Sequence, residues 1–167
     1  MNPHSVEIAQ RDFSYLRQSR ADQQVVLGDA RQMLQAEWDH GQAGGFDVLV
    51  VDAFSSDSIP VHLITQEALA LYRRHLKPGG IIAFHVSNLF LRLEPVVQGL
   101  AKDAGLQAVQ IASGDKFPEK ASIWVLVTDD QAFVNSPAVQ GRSVPITPIP
   151  GLRLWTDSYN NLFDILR

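Results

Sequence analysis

The stretch FDVLVVDAFSSDSIP, Phe46 to Pro60, decides the reading of this chain. Its first half is apolar on both faces, the pattern of a strand buried within a sheet that helices cover on each side. It ends in Asp52, and five residues on comes Asp57, with Ser55, Ser56 and Ser58 around it. In open α/β sheets ligands sit outside the carboxyl ends of the strands. A buried strand that empties into two acids and three hydroxyls is therefore a candidate site.

Four further runs have the same character: QVVLGDA (24–30), GIIAFHVS (80–87), LQAVQIA (106–112) and SIWVLVTD (122–129). Helical patterns separate most of them. Asn2 and Pro3 read as an N-cap and first helical residue, before an apolar stripe of Val6, Ala9, Phe13 and Leu16. Thr65 caps QEALALYRRHL, which stops at Lys77-Pro78-Gly79-Gly80. Leu93, Val97, Leu100 and Ala104 form the stripe of a helix that Gly105 ends. Only SGDKFPEKA parts the last two strands, too little for a crossover helix, so they should be antiparallel. From Asp130 the chain is proline-rich and loop-like until LWTDSYNNLFDILR. The expectation is α/β, one domain over 1–167, with a mostly parallel sheet and an antiparallel last strand.

Composition narrows the function. The 167 residues carry a net charge of −4 and no basic cluster beyond Arg73-Arg74, which argues against nucleic acid as a partner. There is no cysteine, hence no disulfide framework or thiolate metal site. Apolar runs fall short of the roughly 20 residues of a membrane helix. MNPHSVEIAQ is not signal-like, so a cytoplasmic protein is the default expectation.

Each polar residue at a strand end has a plain and a functional reading. Asp29, after Gly28, is either the N-cap of ARQMLQAEW or a carboxylate for an amino group such as an adenine's. Asp52 is either tied to its own loop or a base beside a cationic substrate. Asp57 and the serines are also ordinary turn residues before Pro60. His85 reads first as a satisfied core histidine, and Asn88 as a cap for the segment after it. His62 and His75 lie on other elements, so no metal pattern emerges. No G-x-G-x-x-G occurs.

Taken in order, VLGDAR, FDVLVVDAFSSDSIP, LITQEALALYRRHLKPGGIIAFHVSN and LWTDSYNNLF resemble the spermidine synthase-like proteins. These polyamine aminopropyltransferase relatives have the Rossmann-like fold of S-adenosylmethionine-dependent methyltransferases. The resemblance implies that Asp29, with Ala30 beside it, meets the adenine of the nucleoside substrate. Asp52 would be the base for the attacking amine, and Asp57, with Ser55 and Ser56, would hold the polyamine. It implies decarboxylated S-adenosylmethionine or S-adenosylmethionine as co-substrate, with none bound tightly, methylthioadenosine as product, and no metal. Two departures stand out. Ala53 and Phe54 lie between Asp52 and the serines, where spermidine synthases read roughly D-S-S-D-P. NPHSVEIAQ resembles the helix after the family's second strand, which places the glycine-rich loop and ribose-binding acid upstream of Met1. On that reading the chain is truncated. The family's strand order, 3-2-1-4-5-7-6, would then lose its first two strands. The expected repair sets QVVLGDA beside FDVLVVDA in a five-stranded sheet of order 3-4-5-7-6, with an outer edge that favours a homodimer. The alternatives are a small-molecule methyltransferase and a catalytically silent remnant or binding module.

Overall fold

The structure is a computed structural model and describes residues 3–54, 59–113 and 122–167. The chain runs α1 (Pro3–Asp12), α2 (Tyr15–Gln18), α3 (Ala30–Asp39), β1 (Phe46–Val51), α4 (Gln66–Arg74), β2 (Leu76–His85), α5 (Glu94–Asp103), β3 (Gln107–Ser113), β4 (Ser122–Thr128), α6 (Gln131–Val134), α7 (Pro137–Gln140) and β5 (Ser143–Val144). Short 3-10 turns lie at Val61–Leu63 and Leu162–Ile165.

The five strands form one mixed sheet of order β1-β2-β4-β3-β5. Only β1 and β2 are parallel, Val48 facing Ile81 and Val51 facing Phe84. The other three pairings are antiparallel. The expectation of a mostly parallel sheet is thus corrected, and one parallel pair does not make a Rossmann-type sheet. The antiparallel pairing of the last two long strands is as the short connection required.

The difference has one main source. Residues 24–29 form no strand, and Val25, Val26 and Leu27 stay about half exposed. Strand propensity is realised only against a ladder partner, and this segment pairs with nothing in the sheet. The outer edge of β1 therefore carries no neighbour among the described residues. The four remaining strands keep the expected relative order, and the fifth place is taken at the opposite edge by β5 against β3.

One face of the sheet holds the core. Leu49, Val51, Ile82, Phe84, Val125 and Val127 meet Leu69 and Tyr72 of α4 and Val97 and Leu100 of α5. Strand periodicity sends alternate residues the other way, and on β1 those are Val48 and Val50, 52% and 57% exposed. The capping signals act as read. Thr65 accepts from the Ala68 amide, and Gly105, at φ +71°, follows α5 in the left-handed conformation. Lys77-Pro78-Gly79-Gly80 is not merely a helix stop. It lies within β2, where the register slips between Phe46 and Val48, with Gly79 at φ +75°. At the amino end, the single expected stripe breaks at Asp12 into α1 and α2, and Phe13 is exposed.

His75 is fully buried and joins α3 to the sheet. Its Nε2–H donates to the Leu34 carbonyl at 3.0 Å, and its Nδ1 accepts from the Gly44 amide at 3.2 Å. Because Nδ1 is accepting, the 3.9 Å approach of Glu37 to it is not an ion pair of the neutral ring.

Candidate functional site

Asp52 leaves the carboxyl end of β1 and keeps its side chain about half exposed, while Phe54 two residues on is fully buried. The carboxylate is therefore open at the sheet edge rather than sealed beneath the phenylalanine. Its Oδ1 lies 2.7 Å from Nδ1 of His85, the last residue of β2. The expectation of a satisfied histidine holds for His85, mostly buried and bonded at both ring nitrogens, and the partner at Nδ1 is the candidate acid. β1 and β2 run parallel with Val51 facing Phe84, so each strand's next residue emerges at the same edge.

The other side of the imidazole is built as closely. Ser87 Oγ lies 2.8 Å from Nε2 and accepts the Ile123 amide at 2.7 Å. Ser122 Oγ lies 3.3 Å from Nε2 and accepts Trp124 Nε1–H at 2.7 Å. The Trp124 ring stacks on His85, with centroids 4.6 Å apart and planes at 22°. Asp52, His85 and Ser87 follow the atom order of an acyl-transfer triad. Ser87 also receives the Ile123 amide beyond the end of the β2–β4 ladder, which gives it a structural role there.

Asn88 does cap the next segment, its Oδ1 accepting from Phe90 and Leu91 at 3.0 Å, and it also donates to the Phe54 carbonyl. Asp57, Ser55 and Ser56 lie outside the described residues, so their expected place in the same mouth is not part of this geometry.

Asp29 lies in a second cluster. Its Oδ1 caps α3 by accepting the Gln32 amide at 3.0 Å, and its Oδ2 meets His62 Nε2 at 2.8 Å. The Gln32 amide, then His62, hold its carboxyl below the usual 3.8. The plain reading of Asp29 is thus the observed one, and Ala30 is the exposed first residue of α3. Next to it, Arg31 grips Asp157 with two bonds of 2.7 and 2.6 Å and donates to the His62 carbonyl at 2.8 Å. Thr65 adds a 2.8 Å bond to Asp157. A shallow hollow of about 590 Å³ is bordered by Asp29, Arg31, Gln35, Asp39 and His62, and Asp52 is not among its walls. A larger one of about 800 Å³, walled by Pro95, Lys102, Leu106, Leu152 and Trp155, contains neither Asp52 nor His85.

Sequence reasoning missed the pairing of His85 with Asp52. The signal available was position: both close adjacent strands, and His85-Val86-Ser87 places the histidine and serine two apart, on one face. Among the described residues no group of three or more His, Asp or Glu could hold a metal ion, and no helix is long and apolar enough to cross a membrane.

No family model matches the chain. Over 69 residues it is 32% identical to a protein of Bifidobacterium longum (strain NCC 2705) described as a probable polyamine aminopropyl transferase. The match covers 41% of this chain but only 14% of that protein's length. The chain thus shares a distant, partial likeness with a probable polyamine aminopropyl transferase, on an α/β scaffold with one mixed sheet.

Proposed function

We propose that the chain is part of a spermidine synthase-like transferase that moves an aminopropyl group from decarboxylated S-adenosylmethionine to a polyamine. The observation that carries this is the open, histidine-clamped carboxylate of Asp52 at the end of a parallel strand pair. Oδ1 is engaged by His85, and Oδ2 has no partner among the described residues. Such a group receives an ammonium or accepts a proton from an amine. In the step proposed, the amine lone pair attacks the methylene beside the sulfonium. The C–N bond forms as the C–S bond breaks, its electron pair leaves on methylthioadenosine, and the amine's surplus proton passes to Asp52.

The residues fit the two halves of the reaction unequally. Asp52 suits the amine. Asp29, proposed to meet adenine, already has both oxygens in use, so a nucleoside would share or displace His62. That engagement favours a second reading, a silent or binding-only domain, with nucleoside affinity weak or absent.

Calorimetry with spermidine and putrescine, then with decarboxylated S-adenosylmethionine, S-adenosylmethionine and methylthioadenosine, separates these readings. A charge-assisted bond contributes about 1.5–3 kcal/mol, so Asp52→Asn should weaken amine binding about ten- to a hundredfold. Amines that bind the variant as well as the parent, or bind neither, would remove Asp52 from this role.

A further inference from the structure

We propose that His85 is a positioning residue that, as its neutral Nδ1–H tautomer, clamps Oδ1 of Asp52 and leaves Oδ2 as the acceptor offered to an amine. The inference deepens the reading of Asp52 as the amine-binding carboxylate and rests on it. A neutral imidazole has one donor and one acceptor nitrogen, and the bond made by one dictates the role of the other. Among the described residues, each polar neighbour of Nε2 is a hydroxyl whose oxygen already accepts an N–H, Ser87 from Ile123 and Ser122 from Trp124. Each hydroxyl hydrogen is thus left to donate, and both oxygens lie within reach of Nε2. The Asp52 carboxylate, 2.7 Å from Nδ1, only accepts, so it and the two hydroxyl donors together place the ring proton on Nδ1 and the lone pair on Nε2.

The ring has little freedom to do otherwise. Trp124 stacks on one face at 4.6 Å, and its indole N–H orients Ser122. The His85 side chain is only 17% exposed, against 53% for Asp52. The imidazole is thus turned towards the ladder, and its basic nitrogen is covered by hydroxyls. His85 does not itself meet the substrate. It fixes the carboxylate rotamer, as histidine partners and carboxylates orient one another around reacting groups elsewhere.

Long-range proton–nitrogen spectra of the full chain labelled with ¹⁵N-histidine, at about pH 8 where a free imidazole is neutral, read the tautomer directly. The expected result is an Nδ1–H pattern for His85, shifting towards a tautomer mixture in Ser87→Ala/Ser122→Ala. An Nε2–H pattern in the parent protein would overturn the proposal whatever the variants do. The functional arm uses spermidine as probe. His85→Leu removes the donor, whereas His85→Asn places an amide N–H where Nδ1–H was. Affinity should fall about tenfold in the leucine variant and return to within about threefold in the asparagine variant. Equal affinity of the leucine variant and the parent would also overturn it. Absence of spermidine binding to the parent would sink the amine-binding reading, and with it the positioning role. The spectra would then still decide the tautomer.

Discussion

Replacing Arg31 by alanine tests what holds α3 to the rest of the molecule. With no strand formed ahead of α3, its position depends on side chains, with His75 reaching to it from beyond α4 and Arg31 reaching out from its own surface. Its guanidinium makes two bonds to Asp157 and one to the His62 carbonyl. A charge-assisted bond contributes up to about 1.5–3 kcal/mol when shielded. Here the Arg31 and Asp157 side chains are 20% and 45% exposed. Solvent screening therefore reduces the pair to about 1–2 kcal/mol, and the carbonyl bond adds about 1 kcal/mol. Arg31→Ala should cost about 2–3 kcal/mol, a fall in Tm of about 5–10 °C for a chain of this size. The Arg31→Ala/Asp157→Ala double-mutant cycle isolates the pair at about 1–2 kcal/mol. Its pH dependence has a definite sign. Arg31, followed by Thr65, holds the Asp157 carboxyl below its ordinary 3.8. A depressed folded value means that the coupling is fully present above the unfolded value and is lost as pH falls through the folded one. Asp29 titrates in the same acid range, but it is present at all four corners and cancels. Chemical denaturation across about pH 2–7, with amide exchange along α3, provides the assay. A coupling below about 0.3 kcal/mol at neutral pH, or one unchanged down to about pH 2, would refute the reasoning.

Three further outcomes are expected. His75→Phe keeps a buried ring but leaves the Leu34 carbonyl and the Gly44 amide unpaired, and should cost about 2–4 kcal/mol in urea unfolding; a change under about 1 kcal/mol would mean water replaces both bonds. Asp29→Ala removes the N-cap of α3 and should cost about 1 kcal/mol at neutral pH. That cost should shrink as pH falls below about 3.8, where the depressed carboxyl of the parent takes up its proton. Homodimer formation through the open edge of β1 is proposed, since unpaired strand edges template association; Val50→Lys should then shift sedimentation velocity towards monomer with little change in melting, and identical profiles would place any dimer contact elsewhere.

What the sequence determined by itself is local. Runs rich in Val and Ile located β1, β3 and β4 to within a few residues, because buried strands need apolar β-branched side chains wherever they lie. Thr65 and Gly105 marked helix boundaries through bonds and dihedrals that span four residues or fewer. Asp29 was legible as a cap for the same reason. The tertiary structure decided what depends on a distant partner. QVVLGDA has the composition of a strand, but the choice between strand and coil rests on pairing with a distant edge, and the segment leaves the open edge of β1 unpaired. The balance of parallel and antiparallel pairs follows from that one absence and from β5 at the other edge. Asp52 could be singled out by its place after a strand, yet its partner His85 lies 33 residues away. The nitrogen which that histidine is proposed to offer depends on Asp52 on one side and, on the other, on Ser87 just after β2 and Ser122 at the start of β4. No local pattern carries such information, since it exists only once the register of β1, β2 and β4 has been set.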